Sequence, residues 1–249
     1  MKKIFFTLTL ILITSTFFAQ NKLLHEIGIV TGPVSMQTDF GERHHFPSSV
    51  LNIGFGVGLV YYISFDPDRI YWNQRGTYLM NHSKLRFELS YMQDQLIQRG
   101  RYIEGNSTEA ILLKAIHGNS KLLNAGAQYE FSVFSASSER DFRPYFSLGG
   151  MYTSYQPQVE SSLGDIKTNP SLIPTAYING IHNDSGSTGS LLLGAGTTYT
   201  TSSDLKFVMD FRWQRFITDD IDGLTPLIPA NKYNDWLFYL NFGIIFKMN

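Results

Sequence analysis

The sequence contains no cysteine among its 249 residues. Disulfide bonds therefore cannot stabilise the protein, and attachment to a membrane through a lipidated cysteine is excluded. Charged residues are also scarce, at 16%, and 20 basic and 21 acidic side chains give a formal net charge of -1. A chain without a basic excess has little with which to bind phosphates, so we expect no nucleic-acid partner.

Long apolar runs are missing as well, except at the start of the chain. There, two lysines precede a single apolar run that ends near Ala19. This order is typical of a secretory signal peptide, so we predict that residues 1–19 are a cleaved leader and residues 20–249 the mature domain. A retained N-terminal anchor is the alternative, although the run is short for a membrane span.

The mature chain is instead rich in two-residue alternation. In residues 51–65 every odd position is apolar, whereas the even positions are mostly glycine, asparagine or serine. Strands sort side chains in this way because successive residues point to opposite faces. The same pattern recurs near residues 25–32, 84–91, 122–134, 143–155, 190–200, 204–214 and 236–246. We therefore predict about eight strands, long enough to cross a bilayer, for which roughly 9–11 residues suffice.

The predicted connections alternate between short and long. The long ones follow the third, fifth and seventh strands, at Gln98–Ser120, Gln156–Ser187 and Thr218–Asn234. Short turns and long loops alternate in this way in outer-membrane barrels. The connection at residues 66–83 breaks the rule, and a small helix, an additional hairpin or a miscounted strand would each account for it.

The apolar stripes could face either a closed core or lipid. In a soluble β-sandwich or lipocalin-like barrel the opposite face would meet water and carry many charges. Here that face is mostly small and uncharged, which suits a narrow barrel interior. Aromatic residues such as Tyr91, Trp213 and Trp236 lie near strand ends, as in the girdles of membrane barrels. We predict an all-β fold, an antiparallel up-and-down transmembrane β-barrel of about eight strands.

With these strands, the chain resembles the small eight-stranded outer-membrane barrels, such as OmpX and the barrel domain of OmpA. The leader ending "FFAQ" is similar to those of Bacteroidota. The closing stretch "DWLFYLNFGIIFKMN" resembles the terminal signal read by the outer-membrane assembly machinery, carried here by Trp236, Phe238, Leu240, Phe242, Ile244 and Phe246. The resemblance implies an outer-membrane location, with outer-membrane lipid or lipopolysaccharide and the assembly machinery as partners, and possibly an envelope protein.

Several charged residues fall on the predicted interior face. They are Glu26, Arg86, Glu88, Glu130, Arg143, Lys206, Asp210 and Arg212. Because unpaired charges in a narrow interior are costly, their nearly balanced signs predict an ion-pair network that fills the lumen. A polar pore or a proton path is the alternative.

Two short motifs could bind a metal. "DFGERHHF", at residues 39–46, places adjacent His44 and His45 near two acids, and "DDIDG", at residues 219–223, resembles a fragment of a calcium loop. Adjacent histidines rarely reach one ion, and the second motif lacks further ligands. We expect both to be solvated loops and expect no metal or cofactor.

Two further pairs could carry catalysis. Asp219 and Asp220 could act as a carboxylate pair, as in omptin-type proteases, and His117 with Ser120 could act on lipid A near the outer leaflet. Nucleophilic catalysis also needs an oriented base and an oxyanion site, and the sequence shows neither. We therefore predict no catalytic residues.

We predict a non-enzymatic outer-membrane barrel with a structural or adhesive role, or a role as a membrane subunit of an envelope complex. The long loops would be its contact surface. The alternatives are an outer-membrane enzyme acting on lipid A or peptide, a narrow channel or transporter, and a soluble periplasmic barrel that binds an apolar ligand.

Overall fold

Eight antiparallel strands form one closed barrel, in a computed structural model that describes residues 23–41, 51–66, 77–136, 141–201, 205–225 and 235–248. The strands are β1 Leu23–Gln37, β2 Ile53–Phe65, β3 Ser83–Ile97, β4 Ile116–Ser132, β5 Phe142–Ser161, β6 Gly186–Thr200, β7 Leu205–Phe216 and β8 Trp236–Met248. Each strand pairs with its neighbours in chain order, and β8 closes the barrel on β1. The predicted fold is confirmed. The predicted leader, residues 1–19, lies outside the described residues.

The strand order places alternate connections at opposite ends of the barrel. The connections after β1, β3, β5 and β7 meet at one end, which we call the cap end. Those after β2, β4 and β6 meet at the other, which we call the turn end and which also holds the first residue of β1 and the last of β8. The three long connections predicted from the sequence all lie at the cap end.

The outer wall of the barrel is apolar and the interior contains the charges. Phe55, Phe211 and Phe242 are 60%, 49% and 45% exposed, whereas Arg86 and Arg212 are fully buried. An arrangement with the aromatic stripe inside and the arginines outside, as in a soluble barrel, is therefore ruled out. Side chains of alternating polarity thus occupy the faces that the sequence pattern predicts.

β4 and β5 extend several residues into loops that the sequence predicts. β4 begins at Ile116 and β5 continues to Ser161, so the predicted loops Gln98–Ser120 and Gln156–Ser187 are wrong where they overlap these strands. The reason is that the alternation changes sign in the extensions: Val159 is buried inside and its neighbours are polar. Pro157 also argued against a strand, because proline lacks the N–H that a ladder uses.

Short helices occupy several connections. Helix α1, Thr77–His82, lies in the exceptional connection at residues 66–83, and helix α2, Thr108–Ala115, lies between β3 and β4. Single 3₁₀ turns occur at Arg101–Ile103, Pro170–Leu172 and Thr175–Tyr177. A small helix was one of the three alternatives for residues 66–83. Within the described ranges, no helix is both long and apolar enough to cross a membrane.

Inward-facing glycines make room for large interior rings. A Cβ atom at Gly56 would lie 2.9 Å from Cζ of Tyr239, and one at Gly196 would lie 2.7 Å from the hydroxyl of Tyr145. Both tyrosines are buried inside the barrel. The glycine row that alternates through β2 therefore reflects the packing of a narrow, filled interior rather than a ligand-binding loop.

Candidate functional site

The half of the interior next to the turn end holds a set of ionised side chains, which we call the charge layer. Its acids are Glu26, Glu88, Glu130 and Asp210, and its bases are Lys84, Arg86, Lys206 and Arg212. Seven of these eight were singled out from the sequence, and Lys84 was not. Arg143, the eighth charged residue predicted to face the interior, is half-buried at the start of β5, near the turn end.

Two buried arginines organise the centre of the charge layer. Arg86 Nη1 lies 2.8 Å from Asp210 Oδ2, and its Nη2 lies 2.7 Å from Glu88 Oε2. Arg212 Nη1 lies 2.8 Å from the other Glu88 oxygen. Glu130 Oε1 is more distant, 3.6 Å from Arg86 Nη1. Glu88 thus bridges the two guanidinium groups, which anchors β3 to β7 across the lumen.

A second group of ion pairs lies closer to the turn end. Both carboxylate oxygens of Glu26 are used: one contacts Lys84 Nζ at 3.3 Å, and the other contacts Lys206 Nζ. The three residues come from β1, β3 and β7. Since a buried charge is costly unless it is paired, these contacts explain how the narrow interior accommodates acids and bases in equal number.

Neutral polar side chains form the next layer toward the cap end. Gln214 Nε2 donates to Ser190 Oγ at 2.8 Å, and Thr153 Oγ1 donates to Asn124 Oδ1 at 2.6 Å. All four residues are buried and belong to β4, β5, β6 and β7. This part of the interior is therefore occupied by mutually hydrogen-bonded side chains.

The interior at the cap end is apolar, so the predicted ion-pair network fills only part of the lumen. We call this cluster the plug: Val34, Met36, Phe40, Met92, Leu96, Ile116, Leu122, Tyr155, Val159, Ile166, Tyr177, Phe216, Ile221, Leu224, Leu237 and Tyr239. Phe40, Ile166, Tyr177, Ile221 and Leu224 belong to connections rather than strands. The connections therefore turn inward and shield an apolar core from water, which favours their folded position.

Hydrogen bonds between different connections hold this inward arrangement. We call the described residues 38–41, 98–115, 162–185 and 217–225 the cap. The amide of Gly41 donates to Gln98 Oε1 at 3.1 Å. Within the cap, His182 N donates to Gly223 O at 2.9 Å and Thr225 N donates to Gly180 O at 2.7 Å. All four connections at the cap end thus contribute to one bonded unit.

The "DDIDG" motif serves the cap rather than a recognisable calcium site. Asp222 Oδ2 accepts from Asp39 N at 3.0 Å, and Oδ1 accepts from Leu224 N at 2.8 Å. Gly223 has a φ of 80°, a conformation that glycine adopts without steric cost. Among the described residues, no group of three or more potential ligands could hold a metal ion. His44 and His45, the other metal candidates, lie outside the described residues.

Two buried carboxyl groups lie in and next to the cap. Burial raises the pKa of Asp222 to about 7, from an ordinary value of 3.8. Burial, with Asp222 nearby, also raises the pKa of Asp235, whose Oδ2 accepts from Ile221 N at 2.9 Å. Desolvation disfavours the charged form of an acid, so the folded cap favours the neutral form of both groups.

The proposed His117–Ser120 pair is not assembled. Three residues apart on β4, the two side chains point to opposite faces of the wall. Ser120 is buried inside and donates to Ile221 O at 2.6 Å, whereas His117 Nε2 faces outward, 3.8 Å from Glu160 Oε2. The hypothesis that these two residues form a catalytic dyad is therefore wrong. Asp220, of the other candidate pair, accepts the hydroxyls of Thr218 and Thr225.

The residues of the predicted assembly signal all lie on the outer wall of β8. Phe242, Ile244 and Phe246 are exposed, and Trp236, Phe238 and Leu240 are half-buried. The Trp236 ring packs edge-to-face on Trp213, with centroids 5.4 Å apart. Their role in recognition by the assembly machinery stays a prediction.

Comparison with known proteins agrees with this architecture. No protein-family model and no curated protein sequence matches the chain. A major outer membrane protein from Thermus thermophilus is similar, with a TM-score of 0.50, 11% identity and coverage of 91% of this chain and 100% of that one. OprG from Pseudomonas aeruginosa (0.46, 13%, 91% and 96%) and Neisserial surface protein A (0.43, 12%, 90% and 97%) are also similar. At these identities the likeness shows the fold alone, and the Bacteroidota origin stays a prediction.

Proposed function

We propose that the protein is a non-conducting outer-membrane barrel whose cap end faces the exterior and presents a contact surface with a structural or adhesive role. The observation that carries this proposal is the filled interior, in which the charge layer, the polar layer and the plug follow one another from the turn end to the cap end.

The outer wall supports the membrane placement. Large apolar side chains alternate outward on every strand, including Ile29, Leu59, Leu89 and Leu193, each about half exposed. In water, this continuous surface would be far larger than the apolar patches of ordinary soluble proteins. In lipid it is favourable, and barrel closure pairs the backbone groups that hydrocarbon would leave unsatisfied.

The filled interior argues against the channel alternative. Arg86 and Arg212 cross the lumen between β3 and β7, and both are fully buried. On the cap side, Tyr239 is also buried, and the Arg212 guanidinium lies 5.0 Å from its ring centroid. An ion would have to displace paired charges and then cross an apolar plug, and both steps carry a large desolvation cost.

The cap supports a contact role. Its connections are held to one another, so its exposed side chains are presented on an ordered frame, which lowers the ordering cost of binding. Five large apolar side chains are exposed there: Tyr102, Ile111, Leu163, Ile178 and Ile217. Aromatic and aliphatic side chains of this kind commonly anchor protein interfaces.

Conductance tests the closed lumen. The refolded full chain should insert into planar bilayers without stepwise conductance. The double variant Ile221→Gly with Leu224→Gly removes two plug side chains. Its conductance serves as the control that shows whether the assay detects leak through the cap end. Stepwise conductance of the wild type would refute the non-conducting assignment in favour of a channel.

Labelling tests the orientation, because the chain has no natural cysteine. Tyr102→Cys in the cap and Tyr78→Cys in α1 introduce matched thiols at exposed tyrosines at opposite ends. A membrane-impermeant maleimide should label only the Tyr102 variant in intact cells. Labelling of the Tyr78 variant alone would show that the barrel has the opposite orientation. Recovery of the protein in the soluble fraction would refute the membrane placement.

A further inference from the structure

A polar patch interrupts the apolar outer wall on one side of the cap end. Two cross-strand rows form it: Gln93, Lys121 and Gln156, then Gln95, Asn119 and Gln158. We call these six residues the carboxamide patch, because five of them end in a carboxamide. One outward position closer to the turn end, the wall is apolar at Tyr91 and Leu123, both exposed. The change from apolar to polar thus occurs within a single step along β3 and β4.

The patch lies on a part of the wall that extends beyond neighbouring strands. β3 pairs with β2 only as far as Gln93, and β6 begins opposite Tyr155. The inner face of the extension packs on the plug through Leu96 and Val159. On its outer face Gln95, Lys121, Gln156 and Gln158 are exposed. Packing of the barrel therefore does not require the outward carboxamides.

Two open grooves flank the patch. One, of about 720 Å³, reaches Lys167 in the connection after β5, and the other, of about 680 Å³, reaches Lys114 in α2. Asn119, Lys121 and Gln158 line both grooves and form the ridge between them. A ligand lying in either groove would therefore meet Lys121 and one further lysine.

Three lysines and two acids line these grooves, and both acids have partners within the protein. Glu160, which lines both, lies 3.8 Å from His117 Nε2 and accepts from Gln158 Nε2 at 2.6 Å. Asp165 Oδ1 accepts from the backbone of Lys167 at 2.9 Å. Within the described ranges, Lys121 makes no ion pair. Its ammonium group is therefore available to an anion from outside the protein.

We propose that the carboxamide patch binds the phosphorylated sugar headgroup of an outer-leaflet glycolipid, lipopolysaccharide. This inference rests on the proposed membrane placement and orientation. Carboxamides donate and accept hydrogen bonds, as sugar hydroxyls do, and Lys121 supplies a positive charge for a phosphate. The acyl chains of the same molecule would continue along the apolar wall at Tyr91 and Leu123, so both parts of the lipid meet side chains of matching polarity.

Titration of lipopolysaccharide against the refolded barrel in phospholipid nanodiscs tests this inference. Lys121→Gln should weaken binding about tenfold, since one charge-assisted hydrogen bond is lost. Lys247→Gln is the matched control, because Lys247 is half-buried at the turn end, and it should bind as the wild type does. With dephosphorylated lipopolysaccharide, the difference between the wild type and Lys121→Gln should disappear.

Three outcomes would overturn the inference. Equal affinities of the wild type and Lys121→Gln for lipopolysaccharide would show that the carboxamide patch is not part of the binding surface. An equal loss in Lys247→Gln would show a nonspecific charge effect. Competition by inorganic phosphate alone would indicate a small-anion site instead of a glycolipid surface. Heat-modifiable gel mobility is measured in parallel: a wild type that never inserts overturns the proposed function, whereas an inserted barrel insensitive to Lys121 overturns only the patch.

Discussion

Replacement of Arg86 by methionine should strongly destabilise the barrel. Arg86 is fully buried and contacts Asp210 at 2.8 Å and Glu88 at 2.7 Å. After the substitution Glu88 keeps its contact with Arg212, but Asp210 keeps only the amide of Asn241, at 3.4 Å. Among the residues that the structure describes, Glu130 also loses its only ion pair, so two buried carboxylates remain without an ion-pair partner. Removing one partner of a buried ion pair costs about 3–5 kcal/mol, and we expect a loss of this size.

A second substitution separates charge from packing. In the Arg86→Met background, Asp210→Asn removes one of the two orphaned charges and should recover about 2 kcal/mol, within the range that a buried unsatisfied charged group costs. Arg215→Met is the matched control, because Arg215 is exposed on the outer wall. Its effect should stay within about 0.5 kcal/mol.

Urea unfolding of the barrel in phospholipid vesicles, followed by tryptophan fluorescence, gives these free energies. Trp213 and Trp236 lie on the outer wall and should report the loss of the lipid environment. A loss below about 1 kcal/mol for Arg86→Met would mean that water already solvates Asp210. That result would refute the dry charge layer and, with it, the main argument for a non-conducting lumen.

Two further predictions concern interior packing and the cap. Gly56→Leu should lower the free energy of unfolding by about 1–3 kcal/mol, because the leucine overpacks against Tyr239. Adding Tyr239→Ala should partly restore the stability. Additive effects of the two substitutions in a double-mutant cycle would contradict the contact. Because burial raises the pKa of Asp222 to about 7, its neutral form favours folding, so this contribution is complete below about pH 4 and is lost as the pH rises through about 7. Asp222→Asn should flatten the dependence of the unfolding free energy on pH between about 4 and 7, measured by urea unfolding. An unchanged slope would refute the assignment of this pH dependence to Asp222.

The strands were predictable because period-two alternation depends only on local sequence. Along β2 the outward positions stand out in the sequence, and Phe55 and Leu59 are indeed on the outer wall. Val60 and Tyr62, which interrupt the polar set, are buried inside. The interruption was therefore a signal for interior packing. It could not be interpreted from one strand, since Val60 and Tyr62 cluster with apolar residues of β1, β5, β7 and β8.

The ends of β4 and β5 and the plug were not predictable in the same way. The inward residues Ile116 and Val159 belong to the plug together with Ile166 and Ile221, and a strand pattern does not show that the connections holding the last two fold inward. Lys84 was missed for a similar reason, since its partner Glu26 is on β1 and the two residues meet only through the register of both strands with β2. Contacts between strands depend on register, which alternation alone does not determine.

The lipid environment explains why the cap is part of the fold and not an appendage to it. Apolar side chains on the outer wall gain little by packing together in hydrocarbon, so specificity must come from the interior. The charge layer supplies it near the turn end, and the plug supplies it near the cap end. The plug, however, would meet water if the connections opened. Phe40 and Ile221 close this end, and the Ser120 hydroxyl on β4 donates a hydrogen bond to the backbone carbonyl of Ile221. A change in the cap should therefore lower the stability of the whole barrel, because the contacts that order the cap also complete the packing of the interior.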